Sequence, residues 1–219
     1  MQVVSKSKKL ESTISVFLVI ALVVGILGIF VILLDSSSGG GSNVPNYNSG
    51  NSSDESSERP EYEFWLRVES LDELREGDKI VITDNKSSVA LSTAQESSFR
   101  SSTPVYHYPE GQISFGEAVQ VITLEKGYTD GTFSLNVGNN GAKEYLSSSD
   151  SYNGLITKNA IDAFSSWVIT YDSFGNPHIT SQGSTQYKYF DYVVTHFSCV
   201  SDLSTSIRIY KLYTAVVEV

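Results

Sequence analysis

The sequence predicts an all-β domain outside the cell, a β-trefoil-like barrel of three four-stranded units preceded by one transmembrane helix and a disordered linker. Three observations predict it: one long uncharged apolar run, a Ser-, Gly- and Asn-rich stretch after it, and short β-prone runs separated by turn residues. The predicted parts are a cytoplasmic segment (1–13), a membrane anchor (14–34), a linker (35–60) and an extracellular domain (61–219).

The apolar run VFLVIALVVGILGIFVILL, residues 16–34, contains no charge, amide or proline. As a helix it would be about 28 Å long, which matches the hydrocarbon core of a bilayer. Three lysines precede it and Asp35 follows it, so the positive-inside rule places the N-terminus in the cytoplasm. The alternative is a cleaved secretory signal, whose apolar core is normally shorter. Either way, we expect the rest of the chain to lie outside the cell.

Residues 35–60 are dominated by Ser, Gly and Asn, with Val44 and Tyr47 as the only appreciable apolar side chains. Such a segment cannot bury enough apolar surface to offset the entropy lost on ordering. We expect a flexible tether that holds the domain away from the bilayer.

The chain is acidic, with 25 Asp and Glu against 15 Lys and Arg and a net charge of −10. Without Glu11 and the three N-terminal lysines the exterior part carries 24 acidic and 12 basic residues, a net charge of −12. A surface of this sign repels phosphate backbones and anionic lipid, which argues against nucleic acid as a partner. The single cysteine, Cys199, cannot form an internal disulfide, and with three scattered histidines it gives no metal-site spacing. No metal or cofactor is predicted.

The exterior domain begins with a predicted strand, FWLRV at residues 64–68. SLDELREGDK then predicts one short helical turn, with Ser70 as N-cap and with Leu71 and Leu74 facing inward. A second single turn is predicted over residues 159–164.

Three segments that begin at Gly77, Gly131 and Gly175 repeat one plan of four strands. The predicted first strands are DKIVIT, TFSLNV and NPHITS, and the second strands are VALSTA, EYLSSS and KYFDYV. The third strands are QISFGE, NGLITK and HFSCVS, and the fourth lie at residues 119–124, 167–171 and 207–212. Residues 97–111 form an insertion in the first unit. Three such units predict the trefoil, while another barrel or a sandwich stays open.

The runs SLDELREGDKIVI, EYLSSS, SSWVIT and HFSCVSD…SIRIYKLY resemble a β-trefoil-like module of secreted and surface bacterial proteins. That module is often appended to extracellular hydrolases and nucleases, and the resemblance covers residues 64–213. It implies the fold, and its shared residues are structural. Many sugar-binding trefoils repeat a Gln-x-Trp motif, whereas this chain has Ser165-Ser166-Trp167 once, so the resemblance does not imply lectin activity.

An enzymatic function would have to use His107, His178 or His196, since neither G-x-S-x-G nor H-E-x-x-H occurs. We expect His107 to be a solvated loop residue and the other two to be structural residues on strands. The sequence therefore predicts no catalytic residues, and a hydrolase is the least favoured function.

A binding function is favoured by 13 Tyr, 10 Phe and 2 Trp, more than one core requires. Strand alternation predicts Tyr187 and Tyr189 on one face of the third unit, with Phe190 and Tyr192 on the other. The second candidate site lies in the insertion, which departs from the repeated plan. The candidate ligand-binding residues are Tyr106, His107, Tyr108, Tyr187, Tyr189 and Tyr192. The sequence predicts a non-catalytic module for carbohydrate or cell-surface material, with a protein-binding or structural domain as the alternative.

Overall fold

A computed structural model of the chain describes residues 61–216. Fifteen strands run in the order β1 (Glu61–Arg67), β2 (Lys79–Asp84), β3 (Val89–Gln95), β4 (Arg100–Pro104), β5 (Tyr106–His107), β6 (Gln112–Ser114), β7 (Ile122–Lys126), β8 (Phe133–Asn136), β9 (Tyr145–Ser148), β10 (Leu155–Lys158), β11 (Ser166–Tyr171), β12 (Pro177–Ser181), β13 (Tyr189–Val193), β14 (His196–Val200) and β15 (Ile207–Val216). Residues Glu63–Tyr213 form one compact unit.

The all-β prediction is confirmed for the part of the chain that the structure describes. Its only helical elements are two 3-10 turns, Leu71–Glu73 and Ala163–Ser165, and its strands pair antiparallel. Across residues 61–216 no helix is long and apolar enough to cross a membrane. The predicted cytoplasmic segment (1–13), anchor (14–34) and linker (35–60) lie outside the described residues.

The first 3-10 turn begins where the sequence predicts it. The Ser70 hydroxyl accepts a hydrogen bond from the Asp72 amide at 3.1 Å, as an N-cap does. Leu74 is buried as predicted, but the inward position predicted for Leu71 is wrong, since its side chain is 43% exposed. The turn ends at Glu73 and Leu74 already has an extended backbone, so helical periodicity no longer relates the two leucines.

One order of strand pairing recurs along the chain. The second strand of each unit pairs with the first and the third, in β2–β3–β4, β8–β9–β10 and β12–β13–β14. The fourth strand of each unit pairs with the first strand of the next, in β7–β8, β11–β12 and β15–β2. Pairs β2–β7 and β8–β11 join the first and fourth strands of the first two units, and no described ladder joins β12 to β15.

The predicted third strand of the first unit is wrong. That position is taken by β4, which pairs with β3 and lies inside the predicted insertion. The segment QIS instead forms β6, which pairs with β5 and with β1 at the edge of the sheet. Both segments are short and β-prone, so alternation alone could not tell which of them follows β3.

The apolar core consists of two clusters divided by the strands of the first unit. Ile80 and Ile82 of β2 enter the larger cluster, and Val81 between them enters the smaller one, as a period of two requires. The smaller cluster lies beneath the insertion and contains Val81, Ala90, Val105, Ile113, Val119 and Tyr210. The β5–β6 hairpin is therefore fixed to the domain through Ile113, which leaves its other face available.

Candidate functional site

The β5–β6 hairpin carries the insertion tyrosines. Tyr106 pairs with Ser114 and His107 with Ile113. The Tyr108 amide donates to the Gln112 carbonyl at 2.9 Å, and the connecting turn closes through Gly111, whose φ of +75° suits a residue without a Cβ. The turn thus fixes the register, and the register decides which side chains share a face.

Tyr106 and Tyr108 lie on the face of the hairpin that points away from the smaller cluster, into which Ile113 packs. Their side chains are 72% and 46% exposed, large fractions for aromatic rings. His107 alternates to the opposite face, the face of its partner Ile113, although its own side chain is exposed. Of the three predicted insertion residues, the structure therefore groups the two tyrosines and separates His107 from them.

Two polar side chains of β6 lie beside these rings. Ser114 is directly opposite Tyr106, and its hydroxyl lies 3.1 Å from the Tyr108 hydroxyl. Gln112 is two residues from Ser114 and so shares its face, with its amide partly accessible. The hairpin therefore combines apolar ring faces with a hydroxyl and a carboxamide, the mixture typical of a small-molecule site.

The same face continues onto β1 and β15. Leu66 is paired with Gln112 and Trp65 with Ile113, so the next residue of that register places Phe64 opposite Ser114. The ring of Phe64 stacks on that of Tyr213 in β15, with centroids 6.0 Å apart and planes inclined by 14°. We call this surface of Tyr106, Tyr108, Gln112, Ser114, Phe64, Leu66 and Tyr213 the outer face.

Lys211 borders the outer face at β15. Its ammonium group lies 5.3 Å from the centre of the Tyr213 ring, 2.9 Å from an Asp78 carboxylate oxygen and 2.9 Å from the Glu73 carbonyl, to which it donates. Burial raises the pKa of Tyr213 to about 12, and the Glu73 and Asp78 carboxylates act in the same direction. The phenol is therefore neutral at physiological pH and can donate a hydrogen bond.

The third-unit tyrosines have a different environment. Phe190 is buried and Tyr192 packs against the larger cluster, so of the two faces that alternation predicts for this strand, theirs is the core face. Tyr187 also packs against that cluster, so the prediction that it lies with Tyr189 on the face opposite Phe190 and Tyr192 is wrong. Tyr187 precedes the first residue of β13, and strand alternation does not extend to it. Tyr189 remains half-buried beneath the Lys188 ammonium group, 5.1 Å from its ring centre.

The three histidines lie on different strands, β5, β12 and β14, and two of them have local partners. His178 on β12 places Nδ1 3.2 Å from the Ser204 carbonyl, and His196 on β14 packs against Phe99 with ring centres 4.4 Å apart. Among residues 61–216 no group of three or more His, Cys, Asp or Glu side chains is placed to hold a metal ion. Cys199 is fully buried, and burial raises the pKa of its thiol, which keeps it protonated.

Sequence reasoning missed five members of the outer face: Phe64, Leu66, Gln112, Ser114 and Tyr213. Alternation in FWLRV does place Phe64 and Leu66 on one face. No sequence signal indicates that β1 lies between the insertion and the closing strand β15, because these strands are far apart in the chain.

Comparison with known proteins does not assign the chain to a family. No protein-family profile matches the chain, and no curated protein matches it. A solved structure of SeviL bound to asialo-GM1 saccharide aligns with 63% of this chain and 97% of its own, at 11% identity and a TM-score of 0.43. The lysenin pore aligns with 70% of this chain and 50% of its own, at 16% identity and a TM-score of 0.39. Both scores are too low to assign the chain to either fold.

Proposed function

We propose that this chain is a non-catalytic binding module that recognises carbohydrate through the outer face. The observation that carries the proposal is the pair of exposed rings, Tyr106 and Tyr108, beside the Ser114 hydroxyl and the Gln112 amide. Sugar rings have apolar faces of C–H groups and polar edges of hydroxyls. Rigid, amphipathic tyrosines suit the former, and a carboxamide suits the latter.

We propose further that the module is a β-trefoil-like barrel displayed outside the cell by the anchor at 14–34. The recurrent pairing of three four-stranded units supports the first part, and the apolar run with its lysine flank supports the second. Nuclear Overhauser contacts between β12 and β15 would be expected of a closed barrel, and an open sheet would lack them. In sealed membrane vesicles that keep the orientation of the cell, an exterior C-terminal domain should be digested by added protease. Protection of that domain would contradict an exterior location.

The binding test uses the full chain solubilised in mild detergent and insoluble neutral polysaccharides such as cellulose, xylan and mannan. We expect saturable retention on at least one polymer that persists as salt is raised, because uncharged ligands are little affected by screening. The double variant Tyr106→Ala/Tyr108→Ala should weaken retention by about tenfold or more, since two stacking surfaces are lost.

The matched control is Phe174→Ala, which removes an aromatic ring that is 82% exposed at a different turn. Its retention should equal that of the unmodified chain. A protein partner at the cell surface is the second candidate, because exposed tyrosines suit protein surfaces equally well. Absence of retention on every polymer by a folded chain would exclude the carbohydrate proposal and favour that alternative.

A further inference from the structure

We infer that the outer face takes an uncharged oligosaccharide of several sugar units, laid across strands β5, β6, β1 and β15, rather than a single terminal sugar. The inference rests on the proposed function and specifies the ligand of the same site. It depends on where the aromatic rings lie relative to one another, on the polar groups between them, and on the pairing of Lys211 with Asp78 at the border of the face.

The rings occupy the two ends of a cross-strand row. Tyr106, Ser114, Phe64 and Tyr213 follow one another on adjacent strands. With strands about 4.8 Å apart, the distance from Tyr106 is about 10 Å to Phe64 and about 14 Å to Tyr213. One sugar ring cannot contact both ends of such a row, whereas a chain of several rings can. A ligand that uses all of the aromatic surface must therefore be extended.

The middle of the outer face is polar without being charged. Ser114 and Gln112 of β6 lie between the hairpin tyrosines and the Phe64–Tyr213 pair, where the hydroxyls of a central sugar unit would meet them. Burial of hydroxyls against these groups requires hydrogen bonds in compensation, and a carboxamide both donates and accepts. This arrangement favours a ligand rich in hydroxyls over an apolar peptide.

Lys211 borders the outer face and is neutralised by Asp78 at 2.9 Å, while the Glu73 carboxylate near Tyr213 adds negative charge. A site for sialylated or uronic-acid glycans would need an unpaired cation, because a carboxylate loses its hydration on binding. The rest of the domain is acidic and would repel such ligands further. The charge distribution therefore favours an uncharged oligosaccharide.

The experiment measures binding of the full chain to a length series by isothermal titration calorimetry. The probes are mono-, di-, tetra- and hexasaccharides of glucose, xylose and mannose, with galacturonic acid oligomers as the acidic series. We expect affinity for one neutral series to rise by about tenfold or more from the monosaccharide to the tetrasaccharide, as further rings are contacted. Salt should leave this gain unchanged, and the acidic series should bind more weakly.

Two variants locate the ends of the ligand. Tyr106→Ala should reduce affinity for every neutral oligosaccharide that binds. Phe64→Leu keeps an apolar side chain at the half-buried end of the row, so the fold should survive, and it should remove mainly the gain obtained with longer chains. Circular dichroism of both variants checks the fold. Tyr128→Ala, which removes a ring that is 68% exposed elsewhere, is the control and should leave the series unchanged.

The outcomes separate this inference from the function on which it rests. Equal affinity for a monosaccharide and its oligomers, with loss in Tyr106→Ala, would overturn the extended ligand and leave carbohydrate binding intact. Preference for the acidic series would overturn the uncharged ligand. A stable dimer by analytical ultracentrifugation that Tyr106→Ala dissociates would assign the outer face to a second copy of the chain. No binding by any sugar would overturn the proposed function as well.

Discussion

The insertion hairpin and the third unit each present closely spaced tyrosines, and the fold uses them in opposite ways. In β13, Phe190 and Tyr192 complete the larger core cluster, and Tyr187 joins them from the preceding turn. In the hairpin, Ile113 and the flanking Val105 and Phe115 pack in the smaller cluster, and Tyr106 and Tyr108 point to solvent. Tyrosine density therefore indicates a binding surface only where another residue already supplies the core contact.

The largest difference between the two regions should be in stability. Phe190 is 3% exposed and contacts both Trp167 and Phe197, each at a ring-centre distance of 6.0 Å. Phe190→Ala should lower the free energy of unfolding by about 3–5 kcal/mol, because it leaves a cavity between packed rings. Urea unfolding followed by circular dichroism measures the loss. A loss below about 1 kcal/mol would show that β13 does not hold the core together.

A smaller effect on the free energy of unfolding should distinguish the hydroxyl of Tyr192 from that of Tyr106. The Tyr192 hydroxyl donates to the Val194 carbonyl at 2.9 Å, while its ring packs against Phe197. Tyr192→Phe should cost about 0.5–1.5 kcal/mol, the net value of one hydrogen bond. Tyr106→Phe serves as the comparison and should be neutral in stability, since that side chain is largely in solvent. Equal losses in the two variants would contradict the assignment of core and surface roles.

The third unit should also respond to pH. Burial raises the pKa of the Asp191 carboxyl, although hydrogen bonds from Ser204 and the Tyr192 amide oppose the shift. The folded state thus binds this proton more tightly than the unfolded chain, and stability falls as pH rises from the unfolded toward the folded pKa. This change of stability with pH should be smaller than the effect of Tyr192→Phe, because these hydrogen bonds offset much of the cost of burying the Asp191 carboxylate.

Urea unfolding of the unmodified chain and of Asp191→Asn across acidic pH measures this dependence. The variant should gain stability relative to the parent as pH rises through that interval. Asp150 provides a control of opposite sign, since a hydrogen bond from the Thr185 amide, with others from Ser184, lowers its pKa. The stabilisation from the Asp150 carboxylate should be present above the pKa of this group in the unfolded chain and should be lost as pH falls through its folded pKa. Parallel curves for Asp191→Asn and Asp150→Asn would contradict both assignments.

The smallest expected effect on stability belongs to the hairpin. Tyr106→Ala should change the free energy of unfolding by less than about 0.5 kcal/mol, because the side chain is 72% exposed. The same denaturation measurement applies, alongside the polysaccharide retention assay. A large loss of stability would mean that Tyr106 supports the sheet, and its loss of binding would then have no bearing on the ligand site.

The properties that depend on local order in the chain could be predicted from the amino-acid sequence. Period-two alternation and turn residues sufficed for the all-β class, for placing Phe190 and Tyr192 on one face of a strand, and for the short turn capped by Ser70, since each depends on neighbours within a few residues. The same reasoning placed Tyr106 and Tyr108 in a segment that departs from the repeated plan.

Which strands become neighbours depends on the folded structure and could not be predicted from the sequence. In the folded structure β4, rather than QIS, is the third strand of the first unit, and β1 lies between β6 and β15. Strand pairing joins residues that are distant in the chain and is selected by the total surface buried, which no local pattern encodes. The outer face, with Phe64 and Tyr213 beside the hairpin, exists only because of that choice.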